Sequence, residues 1–193
     1  MNLLSQTAAP AACLIFSLYC TLGNAAAEIV INEIHYNSEP NTTANEFVEL
    51  YNSGSSTVDL SGWFFSQGIS YTFAQDTEIE ADSYLVIAER VTPLLEQFGV
   101  AALGPFSLSL AGNGETLELR RADGTIADTV SYKASFPWPV GAGGTGASME
   151  LINPGLDNDL GGAWRSSQSG FSGVQATYVS PGELWSYRPG SSE

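Results

Sequence analysis

Residues 45–63 read NEFVELYNSGSSTVDLSGW, and the fold turns on how this stretch is taken. Its first half is a strand: Val48 and Leu50 share one face, Phe47 and Tyr51 the other, and Ser53-Gly54 closes the run. Two acids sit inside it. Glu46 and Glu49 are three apart, and on a strand an odd separation sends side chains to opposite faces. They cannot flank one substrate, so a paired acid/base device built from these two is disfavoured. The expectation is that one lies near a sheet margin and accepts backbone N–H groups, because buried charge needs such partners. The second half places Gly62 before the aromatic cluster Trp63-Phe64-Phe65.

Outward from this stretch the chain alternates short apolar runs with turn signals. AEIVINEIHY precedes it, and ISYTF and SYLVIAE follow. SYLVIAE is apolar on both faces, as a central strand of a packed sheet would be. ETLELRR and TIADTVSY flank Asp123-Gly124, a hairpin signal, and SMELI precedes Asn153-Pro154. One short helix interrupts the strands, with Thr92 as N-cap, Pro93 in the first turn and Gly99 ending it. Short strands with turns every 8–12 residues point to an all-β, antiparallel sandwich or barrel with one short connecting helix.

Composition narrows the function classes. Hydrophobic residues make up 44% of the 193, enough for a core, while 21 acidic residues face only 6 Lys and Arg. A net charge of -15 argues against nucleic acid, whose phosphates need clustered cations, and against an anionic membrane surface. It favours a cationic or neutral partner. Residues 1–27 carry no charged side chain, hold an apolar run too short to span a bilayer comfortably, and end Ala25-Ala26-Ala27. They read as a secretory signal peptide, with a lipid anchor on Cys20 as the alternative; Leu18-Tyr19 fits that anchor poorly. Cys13 and Cys20 both lie in this segment, so cleavage leaves no disulfide, thiolate site or cysteine nucleophile. The mature chain is expected to be secreted or periplasmic, with no membrane insertion after cleavage.

The remaining motifs are weak. Glu33 and His35 share a strand face and offer two metal ligands, but His35 is the sole histidine, which excludes a histidine-rich zinc site. A Ser–His–acid triad lacks its elbow motif. The glycines of residues 141–148 have no following Lys-Ser/Thr, so a loop is read there and not a phosphate cradle. Asp157, Asn158 and Asp159 form the calcium candidate, with hard oxygens at alternating positions; the EF-hand pattern is not completed, and a solvated turn is the other reading. Asn41-Thr42-Thr43 fits the N-glycosylation triplet. Trp138, Trp164 and Trp185 are candidates for stacking on sugar rings if they are exposed.

Taken in order, IVINEIHYN, EFVELYN, VDLSGW, YLVIAE, GETLELRRADGTIADTVSY and SMELI resemble the lamin-tail domain, an immunoglobulin-like sandwich. The resemblance covers roughly residues 28–154. It implies that Glu33, Glu49, Asp59 and Trp63 are framework, with the acids tying strands and turns and the Trp filling the core, and it brings no catalytic residues. The leader and acidic balance are similar to the exported bacterial type, not to nuclear members. The expected organisation is a leader (1–27), the sandwich (28–155), a loop-rich extension (156–183) and a linker or the start of a further module (184–193). The expected function is a non-catalytic extracellular or periplasmic module that binds a protein or cell-surface polymer and needs no cofactor. An auxiliary glycan- or polymer-binding module of a larger exported enzyme is the alternative.

Overall fold

A computed structural model describes residues 29–37 and 46–167. The expected leader, the glycosylation triplet, Trp185 and the ending from residue 184 lie outside the described residues. The strands are β1 (Ile29–His35), β2 (Phe47–Asn52), β3 (Val58–Asp59), β4 (Phe64–Gln67), β5 (Tyr71–Thr72), β6 (Glu78–Ile79), β7 (Tyr84–Ala88), β8 (Thr116–Arg120), β9 (Ile126–Ser131), β10 (Met149–Leu151) and β11 (Trp164–Ser166), with one helix, α1 (Val91–Phe98). They build an antiparallel sandwich: a five-stranded sheet in the order β11-β10-β1-β2-β7, a four-stranded sheet β5-β4-β8-β9, and a small β3-β6 ribbon.

Alternation in β2 sets the inside and the outside. Val48, Leu50 and Asn52 are buried, while Phe47, Glu49 and Tyr51 take the outer face. β1 would break this alternation as a regular strand, since Ile31 and Ile34 are three apart yet both fully buried. A bulge between Ile31 and Glu33 resolves it: Ile31 pairs with Leu50 and Ile34 with Val48. The Ile31 N–H is caught by Asp128 Oδ2 at 2.7 Å, and Asn158 Nδ2 donates to the same oxygen at 2.8 Å. Asn158 in turn accepts Trp164 Nε1 through its carbonyl at 2.8 Å. Leu117, Leu119, Val130 and Phe65 of the second sheet complete the core. Burial of each such side chain contributes about 1.5–3 kcal/mol.

The Leu-Ser-Gly-Trp corner forms as a turn. Asp59 Oδ1 accepts the Ser61 N–H at 2.8 Å, and the Trp63 N–H bonds Leu60 O at 2.9 Å. Gly62 there has φ +72°, which an L side chain adopts only under strain. Trp63 enters the core, and the Arg121 guanidinium lies 5.4 Å over its ring. At the second-sheet hairpin, Asp123 Oδ1 accepts the Thr125 N–H at 2.9 Å and Gly124 has φ +83°.

Three expectations change. SYLVIAE is the edge strand β7, not a central one. It is apolar on both sides because Val86 and Ala88 on its outer face are covered by Leu94 of α1 and by Phe47. Its open edge is closed by Leu103, which exchanges hydrogen bonds with Ala88 and Val86 at 2.9 and 2.8 Å; Ser107 then pairs with Ser70, just before β5. Second, α1 starts from Arg90 with no side-chain cap bond, so Thr92 lies in the first turn; Gly99 ends the helix in the left-handed region as read. Third, the sheet runs past residue 155, because β11 pairs with β10 beyond the loop of residues 156–162.

Candidate functional site

The outer face of the five-stranded sheet carries one row of facing residues across four strands. Arg165 of β11 stands opposite Glu150 of β10, Glu150 opposite Glu33 of β1, and Glu33 opposite Glu49 of β2. Directly opposed side chains begin only about 4.5–5.5 Å apart, and like charges so placed destabilise a sheet. Three carboxylates therefore share one row with a single guanidinium. Arg165 is engaged already, at 3.0 Å from Glu150 Oε2.

Side chains hold the other two acids. Asn32, displaced at the bulge, donates to Glu49 Oε1 at 3.0 Å, and Ser148 Oγ donates to Glu33 Oε1. Burial pushes the Glu33 carboxyl up to about 7; the Ser148 hydrogen bond opposes this, and Glu49 and Glu150 add to it. Glu49 is also raised, by burial first, against the bond from Asn32. These acids line an open depression of about 360 Å³, with Tyr84 and Ile152 at its walls. Tyr84 is 59% exposed and packs on Tyr51 with ring centroids 4.6 Å apart. The arrangement can receive positive charge or hydrogen-bond donors against an aromatic wall.

The residues singled out by sequence scatter. Glu33 and Glu49 come together in this row, whereas Asp59 and Trp63 sit at the corner of β3 and β4 and take no part in it. Glu46, on the opposite parity to Glu49, accepts the Leu110 N–H at 2.7 Å at the sheet margin. Its carboxyl is pushed up to about 7, by burial first, against that bond and with Glu89 and Glu115 adding. His35 shares the outer face with Glu33 but is buried, its ring 5.2 Å from that of Phe47. Among the described residues, no three His, Cys, Asp or Glu side chains stand together so as to hold a metal ion.

Trp138 and Trp164, candidates for stacking on sugars, are both buried, with ring centroids 6.0 Å apart. They pack on each other beneath the loop that carries Gly161, so neither ring is offered to a ligand. In the calcium candidate all three side chains are engaged within the fold. Asn158 is buried on Asp128, Asp159 Oδ1 accepts the Ser131 N–H at 2.6 Å, and Asp157 Oδ1 accepts the Asp159 N–H at 3.0 Å. Sequence reading missed Glu150, Arg165 and the Tyr51–Tyr84 pair. The i, i+16 spacing of Glu33 and Glu49 hinted at a cross-strand pair, but nothing local announces that β10 returns beside β1.

A family model, the lamin tail domain, matches residues 23–134, more than half of the 193-residue chain. The chain belongs to the lamin tail domain family. The match is to an immunoglobulin-like domain, in keeping with the antiparallel sheets and single short helix described above. It ends before β10 and β11, so the strands that bring Glu150 and Arg165 to the row lie beyond the matched residues. No curated protein matches the chain at a significant level.

Proposed function

We propose that this lamin tail domain is a non-catalytic binding module that acts outside the cytoplasm, on a protein or a cell-surface polymer, through the outer face of its five-stranded sheet. The observation that carries the reading is the depression on that face, lined by the acids of one row and an exposed tyrosine ring. A stretch of sheet face open among the described residues, with polar groups and an aromatic gathered on it, is a binding surface in form. Family membership supports the non-catalytic part, since such immunoglobulin-like domains are typically non-catalytic. Export rests on the leader-like residues 1–27, and no helix among the described residues is long and apolar enough to cross a membrane. No metal or cofactor is required by this reading.

The test is retention. Labelled full chain is incubated with the envelope fraction of an expressing cell, alongside Tyr84→Ala and Ile152→Asp variants that melt like wild type. The wild type is expected to be retained and both variants released; equal retention of all three removes the face from the reading. A mature N-terminus at Glu28 in exported material supports the location, and persistence of residues 1–27 refutes it. Hydrolysis of an ester, phosphodiester or glycan that vanishes in His35→Ala overturns the non-catalytic assignment.

Glycan binding is the second reading. The buried Trp138 and Trp164 do not support it, but the exposed Tyr84 ring beside three hydrogen-bonding acids does. A glycan array with wild type and Tyr84→Ala separates it from the first.

A further inference from the structure

Among the described residues, the outer face of the five-stranded sheet carries more negative charge in one row than its own cation compensates. Glu33, Glu49 and Glu150 stand in one row, and the one cation in that row, Arg165, is paired to Glu150. Among the described residues, Glu33 and Glu49 are met by neutral donors, Ser148 and Asn32. Elsewhere on the chain the acids are satisfied differently: Glu46, Asp128 and Asp159 accept backbone N–H groups at 2.6–2.7 Å. The acids of the row are thus not spent on holding the backbone. Their opposition is a standing cost to the fold that a cation on the face would relieve.

The surroundings specify the shape of that cation. The depression is open, about 360 Å³, and not an enclosed pocket. Tyr84 forms one wall, its exposed ring stacked on Tyr51, which is held by its hydroxyl donating to Asp82 at 3.1 Å. A ring so fixed suits an ammonium or guanidinium lying over it. The row crosses strands from β11 to β2, so several cations spaced along a chain can meet it at once. A phosphate-bearing or anionic polymer is repelled by the same row.

We infer that the outer face of β10, β1 and β2 docks an extended lysine- or arginine-bearing segment of a partner protein, with its cations against Glu33 and Glu49 and its chain passing Tyr84. The occupant follows from charge complementarity with this row on a sheet face that stands open among the described residues, in a chain with a net charge of -15. It rests on the reading of this face as the binding surface and names the partner's chemistry.

The probe is an acetylated decapeptide of alternating Gly and Lys, titrated into the full chain by calorimetry at low salt, with the Gly/Glu and Gly/Ser decapeptides as comparisons. The Lys peptide is expected to bind and the other two not to. Binding should weaken steeply on going from about 50 to 300 mM salt, because exposed pairs are screened. The Glu33→Gln/Glu49→Gln/Glu150→Gln variant should weaken it by about tenfold or more. An Asp76→Asn/Glu78→Gln/Glu80→Gln variant removes as much charge in and around β6 and should stay within about twofold of wild type. Equal loss in the two triple variants, or none in the first, overturns the docking site. If the Lys peptide fails while a neutral glycan or the Gly/Ser peptide binds and is lost in Tyr84→Ala, the cationic partner falls and the face stands. If no probe binds and envelope retention is also unaffected by Tyr84→Ala, both readings fall. Thermal melts of both triple variants keep a folding defect from passing as lost binding.

Discussion

The two outer faces of the sandwich carry the same residue types with opposite electrostatics. On the four-stranded sheet, Glu118 is buried beside Arg120, whose Nε and Nη2 each stand 2.8 Å from its Oε1. Ser66 Oγ donates to the same oxygen at 2.5 Å, and this bond first, then Arg120, holds the carboxyl below the ordinary glutamate range. On the five-stranded sheet, Glu33 also takes a serine hydrogen bond, yet its carboxyl is pushed up to about 7. The serine is not what differs. Burial without a cation is, and the cross-strand neighbours of Glu33 are Glu49 and Glu150. Glu118 is buried with its own arginine, whereas Glu33 is half-buried between two glutamates with no cation beside it among the described residues.

The comparison presumes that both faces hang on one shared core, and the largest predicted effect tests this. Trp63 is buried in that core at the corner leading into β4. Trp63→Ala should cost about 3–5 kcal/mol, the range for deleting a large core aromatic. Urea unfolding of the full chain measures it. A loss below about 1 kcal/mol, the level of an ordinary substitution, would mean that the corner does not anchor the sandwich.

A smaller effect sharpens the contrast itself. Glu33 and Glu46 are each pushed up to about 7 from 4.5 in the folded chain. Between those values the folded state binds more protons than the unfolded one, so stability falls as pH rises through the window. The lowered acids, Glu118 among them, contribute fully above their unfolded values and lose this only at lower pH, so they do not oppose the trend there. The chain should therefore unfold at higher urea at about pH 5 than at about pH 8. Glu33→Gln should flatten that difference and stabilise the chain at the higher pH by about 1 kcal/mol, well under the full shift because the site is open to water. Glu118→Gln should instead destabilise it. Loss of stability in both variants at pH 8 would erase the distinction between the faces.

Much of this architecture was legible in the sequence, and for physical reasons. Strand period, Asp123-Gly124 and the corner before Trp63 are local signals, and each formed where it was read. The parity argument for Glu46 and Glu49 needed nothing beyond the pleat, and Glu46 meets the backbone as expected. What stayed hidden depends on contacts far along the chain. SYLVIAE looks central because α1 and Leu103 cover it, and a sequence does not say what will lie on a strand. Glu150 joins Glu33 across more than a hundred residues, and Arg165 comes from a segment read as loop. The row was thus half visible: its two β1–β2 acids were singled out, and their juxtaposition with Glu150 and Arg165 was not.

The smallest effects concern a third group of acids, those of residues 157–159, which decide whether availability or mere acidity makes a cation site. Asp159 caps the Ser131 N–H on the free edge of β9, and Asp157 caps the Asp159 N–H. Both carboxylates are exposed, so water can replace them. Asp159→Ala should cost only about 0.5–1 kcal/mol, the net worth of one hydrogen bond, and Asp157→Ala no more. The Asn158 side chain is buried, with its Nδ2 donating to Asp128. A bound ion that held this loop would stabilise the fold in proportion to the logarithm of its concentration. Melting of the full chain is therefore expected to be nearly unchanged by excess chelator or by millimolar Ca²⁺. Any small rise with Ca²⁺ should survive Asp157→Ala, because the Asp157 carboxylate is engaged by the Asp159 N–H. A rise of many degrees that Asp157→Ala abolishes would reverse the assignment and make the loop the ion site.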